Sequence, residues 1–272
     1  MGERAWTSYA AEFIGTFFLV LFICLTVCVT TAGIGDGLTA QALLIIAGAH
    51  VIALAVGVYA LGGISGAHFN PAVTTTLLAL RKISAADAAA YIVMQVLGAI
   101  AAAAVVKLLV GDVGDAANLG APGLSDVVAS DFAGIVAEGL GVFILLWAIM
   151  AMAVNPRAEK SFAGLVIGLA LGVGVLGMGA LTGAALNPAR AFGPALISGE
   201  FGSAGTWLLV YVLGPLVGGA LAGFIYTHVV LDEQERRWGG RLVDTDVPPA
   251  QVPDEVDAAE RGPGERPVDK LS

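Results

Sequence analysis

Long apolar stretches divide the chain. They run from about Tyr9 to Thr31, Ala40 to Leu61, Ala86 to Val110, Phe132 to Val154, Phe162 to Leu181 and Gly205 to Leu231. Each approaches or exceeds the roughly 20 residues that carry a helix across about 30 Å of hydrocarbon. The pattern predicts an all-α membrane protein with six transmembrane helices. Short polar segments separate them: residues 1–8, the Gly-rich 32–39, Arg81-Lys82, the acidic 111–131 and Asn155–Lys160. Two segments break the pattern. Ser65–Thr74 reads SGAHFNPAVT and Thr182–Leu196 reads TGAALNPARAFGPAL. Asn is a good helix N-cap and Pro suits the first helical position, so Asn70-Pro71-Ala72 and Asn187-Pro188-Ala189 each read as an abrupt helix start. About ten helix-compatible residues follow each, too few to span. Broken backbone at membrane depth is tolerated only where it is buried in protein or lines a water-filled cavity. The chain is therefore expected to build a path through a membrane.

The two halves repeat. Ala11-Glu12-Phe13-Ile14-Gly15 matches Ala137-Glu138-Gly139-Leu140-Gly141, 126 residues on, and the Asn-Pro-Ala boxes are 117 apart. Gln95 and Gly98 correspond to Pro215 and Gly218. The repeats cover about 8–110 and 132–231, each with three spans and one half-helix. Three is odd, so the second copy is inverted in the membrane. The half-helices then enter from opposite faces and meet near the midplane.

Composition agrees with a polytopic membrane protein: 57% hydrophobic and 13% charged, with a mean hydropathy of +0.86. The many glycines suit close helix crossings, above all Gly164, Gly168, Gly172 and the pairs Gly214/Gly218 and Gly219/Gly223. Cys24 and Cys28 fall in the first span at a helical spacing that suits no bridge and read as packing residues. That span is about 20 residues long with Glu12 near its start, which favours a retained helix over a signal peptide. From Asp232 the composition turns polar and acidic, so residues 1–231 read as a channel domain and 232–272 as an acidic, disordered tail. Arg4, Arg81, Lys82, Arg157, Lys160 and the tail residues Arg236, Arg237 and Arg241 fall on one side. Asp36, Asp112, Asp115, Asp126, Asp131 and Glu200 fall on the other. By the positive-inside rule both termini are cytoplasmic. Lys107, near the outer end of the third span, is expected to snorkel.

The motif chemistry points to water. An N-capping Asn spends its oxygen on the first helical turn and keeps its NH₂ as a donor. Two such helix starts nose to nose, Asn70 beside Asn187, offer donors and partial positive charge to a water oxygen. Its hydrogens then point away along the pore, an orientation poor for relaying a proton, and cations are repelled. Arg190 comes three residues after Asn187, about 4.5 Å along a helix, where it faces a polar path just outside the midplane. Glu12 and Glu138 are intramembrane carboxylates and functional candidates by default. His68 is expected to brace its loop and line the inner vestibule. No Ser/His/Asp set and no His/Cys metal cluster stands out, and the three His are scattered, so neither an enzyme nor a bound metal or cofactor is expected.

The paired boxes SGAHFNPAV and NPARAFGPAL, with the Ala-Glu-x-x-Gly repeat, resemble the aquaporin (major intrinsic protein, MIP) family over about residues 8–231. The resemblance implies an aquaporin-like fold of six transmembrane helices plus two half-helices in two inverted repeats. It also implies one pore per subunit and a homotetramer in the cell membrane. Four positions of the family's outer constriction fall, by spacing, on His50, Val175, Ala184 and Arg190. Strict water channels usually carry an aromatic first and His second; glycerol facilitators usually carry Trp first and Asp directly after the Arg, where this chain has Ala191. The set is similar to that of vacuolar-type plant aquaporins, several of which also pass ammonia, urea or peroxide. The family further implies that Glu12 and Glu138 hold the pore-lining loops through hydrogen bonds. The expectation is a passive channel for water, with small neutral solutes such as ammonia, urea or hydrogen peroxide, that excludes protons and ions and binds no nucleic acid. The alternatives are a glycerol- or urea-type facilitator and, further off, a coupled secondary transporter, which also uses inverted repeats.

Overall fold

A computed structural model describes residues 3–35 and 37–231, the first two of these by backbone only. The tail from Asp232, with Arg236, Arg237 and Arg241, and also Asp36 and the side chain of Arg4, lie outside the described residues. Helix α1 covers Glu3–Cys28 and runs on through a wide π turn, Val29–Gly33. Helix α2 covers Ala40–Ser65, and the Thr39 hydroxyl caps it by accepting the Ala42 N–H at 3.1 Å. The half-helix α3 is Pro71–Ala79, and α4 covers Ala85–Ala116 behind a Ser84 cap. Helix α5 covers Asp131–Ile149 behind a Ser130 cap and ends in a π turn, Met150–Val154. Helix α6 is Ala163–Thr182 and the second half-helix, α7, is Pro188–Ser198. The last span joins α8 (Ala204–Leu208) to α9 (Gly214–Ile225) through a π turn. Among the described residues six helices are long and apolar enough to cross a membrane, as the hydrophobic pattern predicts.

Three boundaries differ from the sequence reading. Helix α1 starts at Glu3, six residues before Tyr9. Helix α2 does not stop at Leu61 but continues through Gly62-Gly63 to Ser65. The stop is Gly66, which takes the left-handed conformation (φ 85°) and returns its N–H to the Gly62 carbonyl, as a C-terminal glycine cap does. Helix α4 passes Val110, turns sharply at Gly111 (φ 46°, ψ −122°) and continues to Ala116. Lys107 is half exposed and reaches across this break to Asp115 at 3.3 Å.

The two repeats pack alike. Helix α1 lies along α4 as α5 lies along α9, and α1 meets α2 as α5 meets α6. Each half-helix crosses to the other repeat: α3 packs on α9 and α7 packs on α4. Small residues make these approaches possible. A Cβ on Gly218 would stand 2.0 Å from the Gly139 carbonyl oxygen, and one on Gly98 would stand 2.5 Å from that of Phe13. Such backbone-to-backbone contact is the usual way helices associate in lipid, where dispersion and not hydrophobic exclusion holds them. Gly168, at 2.5 Å from the Val51 carbonyl, does the same between α2 and α6. Large apolar residues such as Phe18, Phe22, Leu44, Ile52 and Leu108 face outward, while Glu12, Glu138, His50, His68 and Arg190 are buried. That inside-out distribution suits a lipid surround and a polar interior.

Candidate functional site

The centre is built from two loops that precede the half-helices, and the loops are made the same way. In the first, Glu12 Oε1 accepts the Ser65 hydroxyl at 2.6 Å and the His68 N–H at 3.0 Å, while Oε2 accepts the Phe69 N–H at 2.7 Å. In the second, Glu138 Oε1 accepts the Thr182 hydroxyl and the Ala185 N–H, and Oε2 accepts the Leu186 N–H at 2.7 Å. Tyr91 and Tyr211 donate their hydroxyls to the Ser65 and Thr182 carbonyls, each at 2.8 Å. Ala67 and Phe69 take left-handed φ angles of 51° and 50°, and Ala184 and Leu186 take 42° and 50°. This conformation is uncommon for residues other than glycine and persists only where surroundings hold it. Here a buried carboxylate collects successive N–H groups on one side. A trans peptide sets its carbonyl opposite its N–H, so the Ala67 and Ala184 side of each loop turns carbonyls away from the carboxylate.

The half-helices start where the sequence places them. Asn70 Oδ1 accepts the Ala72 N–H at 2.8 Å, and Asn187 Oδ1 accepts the N–H groups of Ala189 and Arg190 at 3.0 and 3.3 Å. The Asn amides are not wholly free, as the sequence reading had them. Asn70 Nδ2 donates to the Leu186 carbonyl and Asn187 Nδ2 donates to the Phe69 carbonyl, both at 2.8 Å. An amide carries two N–H donors, so each Asn ties the two helix starts together and keeps one donor. Pro71, Pro188, Ala72 and Ala189 are buried at this junction. The residues before each Asn seat in glycine notches: a Cβ on Gly15 would strike the Phe69 ring at 2.0 Å, and one on Gly141 would strike Leu186 at 2.3 Å. The Gly of the Ala-Glu-x-x-Gly repeat thus makes room for the loop that its Glu holds.

A cavity of about 350 Å³ has both Asn70 and Asn187 in its wall. Toward one end its wall holds His50, Ala185 and Arg190; toward the other it holds Gly62, Ala67, His68 and Lys160. Arg190 is 2% exposed and donates Nη1–H to the Gly120 carbonyl at 2.8 Å; among the described residues its Nε finds no partner. Gly120 has φ 74° and its Cα side lies against Cys24, where a Cβ would come within 3.0 Å of the Cys24 Cα. The buried Cys24 and Cys28 therefore pack under the loop that holds Arg190. His50 places Nδ1 at 2.8 Å from the Ile46 carbonyl. A carbonyl accepts only, so Nδ1 carries the hydrogen and the neutral ring leaves Nε2 as an acceptor. Nε2 has no partner among the described residues. Val175 and Ala184 are buried but stand outside the residues that line this cavity. His68 does line it, with Nδ1 at 3.1 Å from the Thr74 hydroxyl and its ring edge-on to Tyr91. Gln95 joins the first loop, donating to Glu12 and to Thr74 at 2.8 and 2.9 Å. Its counterpart in the repeat, Pro215, can donate nothing. The Gly120 carbonyl, Gln95 as a partner of Glu12, and the crossing of each Asn amide to the other loop were not read from the sequence.

A six-span bundle in which two half-helices meet head to head in the wall of a largely apolar cavity that also holds His50, His68 and Arg190 is the build of a membrane channel. The sequence profile of the major intrinsic protein family matches residues 2–226. The chain is 44% identical over 216 residues to "Glycerol uptake facilitator protein-like 6" of Lactiplantibacillus plantarum, covering 79% of this chain and 94% of that protein. It is 39% identical over 240 residues to aquaporin AqpM of Methanothermobacter thermautotrophicus, covering 80% and 95%. The aquaglyceroporin of Plasmodium falciparum has a similar fold, with a TM-score of 0.69 at 23% identity over 83% of this chain and 97% of that one. The chain belongs to the major intrinsic protein family: it is an integral, multi-pass membrane protein of a channel family, with six spans, two half-helices and inverted repeats.

Proposed function

We propose that this chain is a passive channel for water that also admits small neutral solutes such as ammonia, urea or hydrogen peroxide and excludes protons and ions. The observation that carries the reading is the pairing of Asn70 and Asn187 in the wall of one cavity, each with its oxygen spent on a helix start and one N–H left over. A water oxygen arriving there accepts from both amides and faces two helix N-termini. Its own hydrogens turn outward, which interrupts a proton wire, and the positive ends repel cations. Arg190, fixed by Gly120, adds a permanent charge at one end of the path. His50 adds an acceptor opposite in kind, Nε2, for the N–H of ammonia or urea or the O–H of water. Val175 and Ala184 lie outside the cavity wall and, being small and apolar, leave the constriction between His50 and Arg190 wider than a water-only filter. Glu12 and Glu138 act as anchors of the loops and His68 as a brace of the inner vestibule.

Residues 1–231 form the channel domain and 232–272 a cytoplasmic tail. Arg81, Lys82, Arg157 and Lys160 lie on one side of the bundle, which supports a cytoplasmic location for that side and for both termini. The subunits assemble as homotetramers in the cell membrane, as the family resemblance implies.

A second reading, a facilitator whose main solute is glycerol, is favoured by the 44% identity to a protein named as glycerol uptake facilitator-like. Stopped-flow light scattering on proteoliposomes of the full chain separates the two. Fast shrinkage in sucrose without solute entry marks a water channel. Rapid re-swelling in urea, or internal alkalinisation in ammonium, marks the wider channel proposed here, and re-swelling dominated by glycerol marks the facilitator. Flux no faster than in empty liposomes overturns both.

A further inference from the structure

The mouth of the cavity opposite Arg190 contains an arrangement that the repeat symmetry does not explain. Helix α5 ends there in the π turn Met150–Val154, and Pro156 follows, which has no N–H to continue the ladder. The last carbonyls of a helix have no partners within it, and they form the negative end of its dipole. Here they are gathered on one side chain. Lys160 Nζ donates to the carbonyls of Met152 and Ala153 at 3.1 Å each and to that of Asn155 at 2.6 Å. All three ammonium hydrogens are thereby used. Lys160, Met152 and Ala153 are themselves in the cavity wall. Neighbouring Glu159 is turned elsewhere: its Oε1 accepts both the N–H and the hydroxyl of Ser161. From the other side Tyr59 fixes the same connection, donating to the Ser161 carbonyl and accepting the Leu165 N–H, each at 3.1 Å.

Take the ammonium away and what remains is a ring of backbone carbonyls at the negative end of a helix, on the path of the permeant. Rings of carbonyl oxygens are how channel proteins hold potassium, an ion close in size to ammonium. We propose that Lys160 is a positioning residue of the pore, whose tethered charge fills a three-carbonyl site that would otherwise bind a monovalent cation at the mouth and obstruct it. The site is closed by the chain's own cation, so the mouth stays open whatever the salt around it. The proposal rests on the reading of this cavity as the conduction path.

The test compares the wild type, Lys160→Met and Lys160→Arg as purified full-length protein. Osmotic shrinkage of proteoliposomes is timed in potassium gluconate and in N-methylglucamine gluconate at equal concentration. Met keeps the length and loses the donors; Arg keeps charge and donors. The wild type and Lys160→Arg shrink equally fast in both media. Lys160→Met matches them in N-methylglucamine and slows about two-fold or more in potassium, the loss expected when half or more of the mouths are occupied. In detergent, the Lys160→Met melting temperature rises with potassium, because an ion that binds the folded state alone stabilises it, while that of the wild type does not move. Should Lys160→Met fail to fold, Lys160→Gln takes its place in both comparisons. A methionine or glutamine variant indifferent to potassium in both flux and melting overturns the proposal. So does an arginine variant as slow as the methionine one in both media, since that marks a purely mechanical role. A wild type that passes no water would instead remove the reading of the cavity as a pore.

Discussion

The side-chain amide of Asn70 donates to the carbonyl of Leu186 at 2.8 Å, and Leu186 belongs to the loop that opens the other half-helix. One residue thus caps its own helix and locks the opposite one. Asn70→Asp separates the two tasks. The carboxylate still accepts the Ala72 N–H, so the cap survives, but it faces the Leu186 carbonyl with no donor and brings a negative charge into the cavity. We expect a folded protein with water permeability reduced about ten-fold, the effect of roughly 1.4 kcal/mol on the barrier, and with measurable cation entry. Proteoliposome shrinkage and a sodium-flux dye read the two effects. Wild-type water flux with no cation entry would show that the cross-tie and the amide donors do not shape the path.

Glu138→Gln replaces an acceptor by a group whose NH₂ must face an N–H or a hydroxyl that already donates. One of the three bonds to Thr182, Ala185 and Leu186 is lost and a buried donor is left unpaired, a cost of about 1–3 kcal/mol. The melting temperature falls, while the protein that remains folded still conducts without any response to a proton gradient. Abolition of a gradient-driven uptake by this single change would instead identify a proton relay.

Arg190→Val removes the buried charge and leaves the Gly120 carbonyl without its 2.8 Å donor. Urea and glycerol entry rise relative to water, and proton or cation leak increases. An unchanged solute profile with unchanged leak would take Arg190 out of the filter.

His50→Phe fills the same space with a larger ring and deletes the Nε2 acceptor. The urea-to-water permeability ratio falls, and ammonia entry falls with it because the acceptor is lost. His50→Gln restores an acceptor without the ring and recovers part of the ammonia entry. A urea-to-water ratio that stays at the wild-type value in His50→Phe counts against the place of His50 on the path.

Much of this architecture was legible in the residues alone. Six apolar runs of spanning length are visible because lipid demands that every side chain facing it be apolar over a fixed distance. The half-helices are visible because Asn-Pro starts a helix by local chemistry: a cap oxygen and a preset φ. The inversion follows from counting three spans. Gly66 is a different matter. Gly62, Gly63 and Gly66 are all able to end a helix, and only the Glu12 carboxylate, more than fifty residues away in the chain, selects the last by fixing Ser65, His68 and Phe69 just beyond it.

The sequence by itself determined the spans and the two helix starts, since these depend on hydropathy and on neighbours in the chain. The tertiary structure alone decided the partners. It sent each Asn amide to the other loop and set the Gly120 carbonyl against Arg190. Such pairings join atoms up to 118 residues apart. A hydrogen bond is specified by position and direction in space, and no local pattern carries those until the helices have packed.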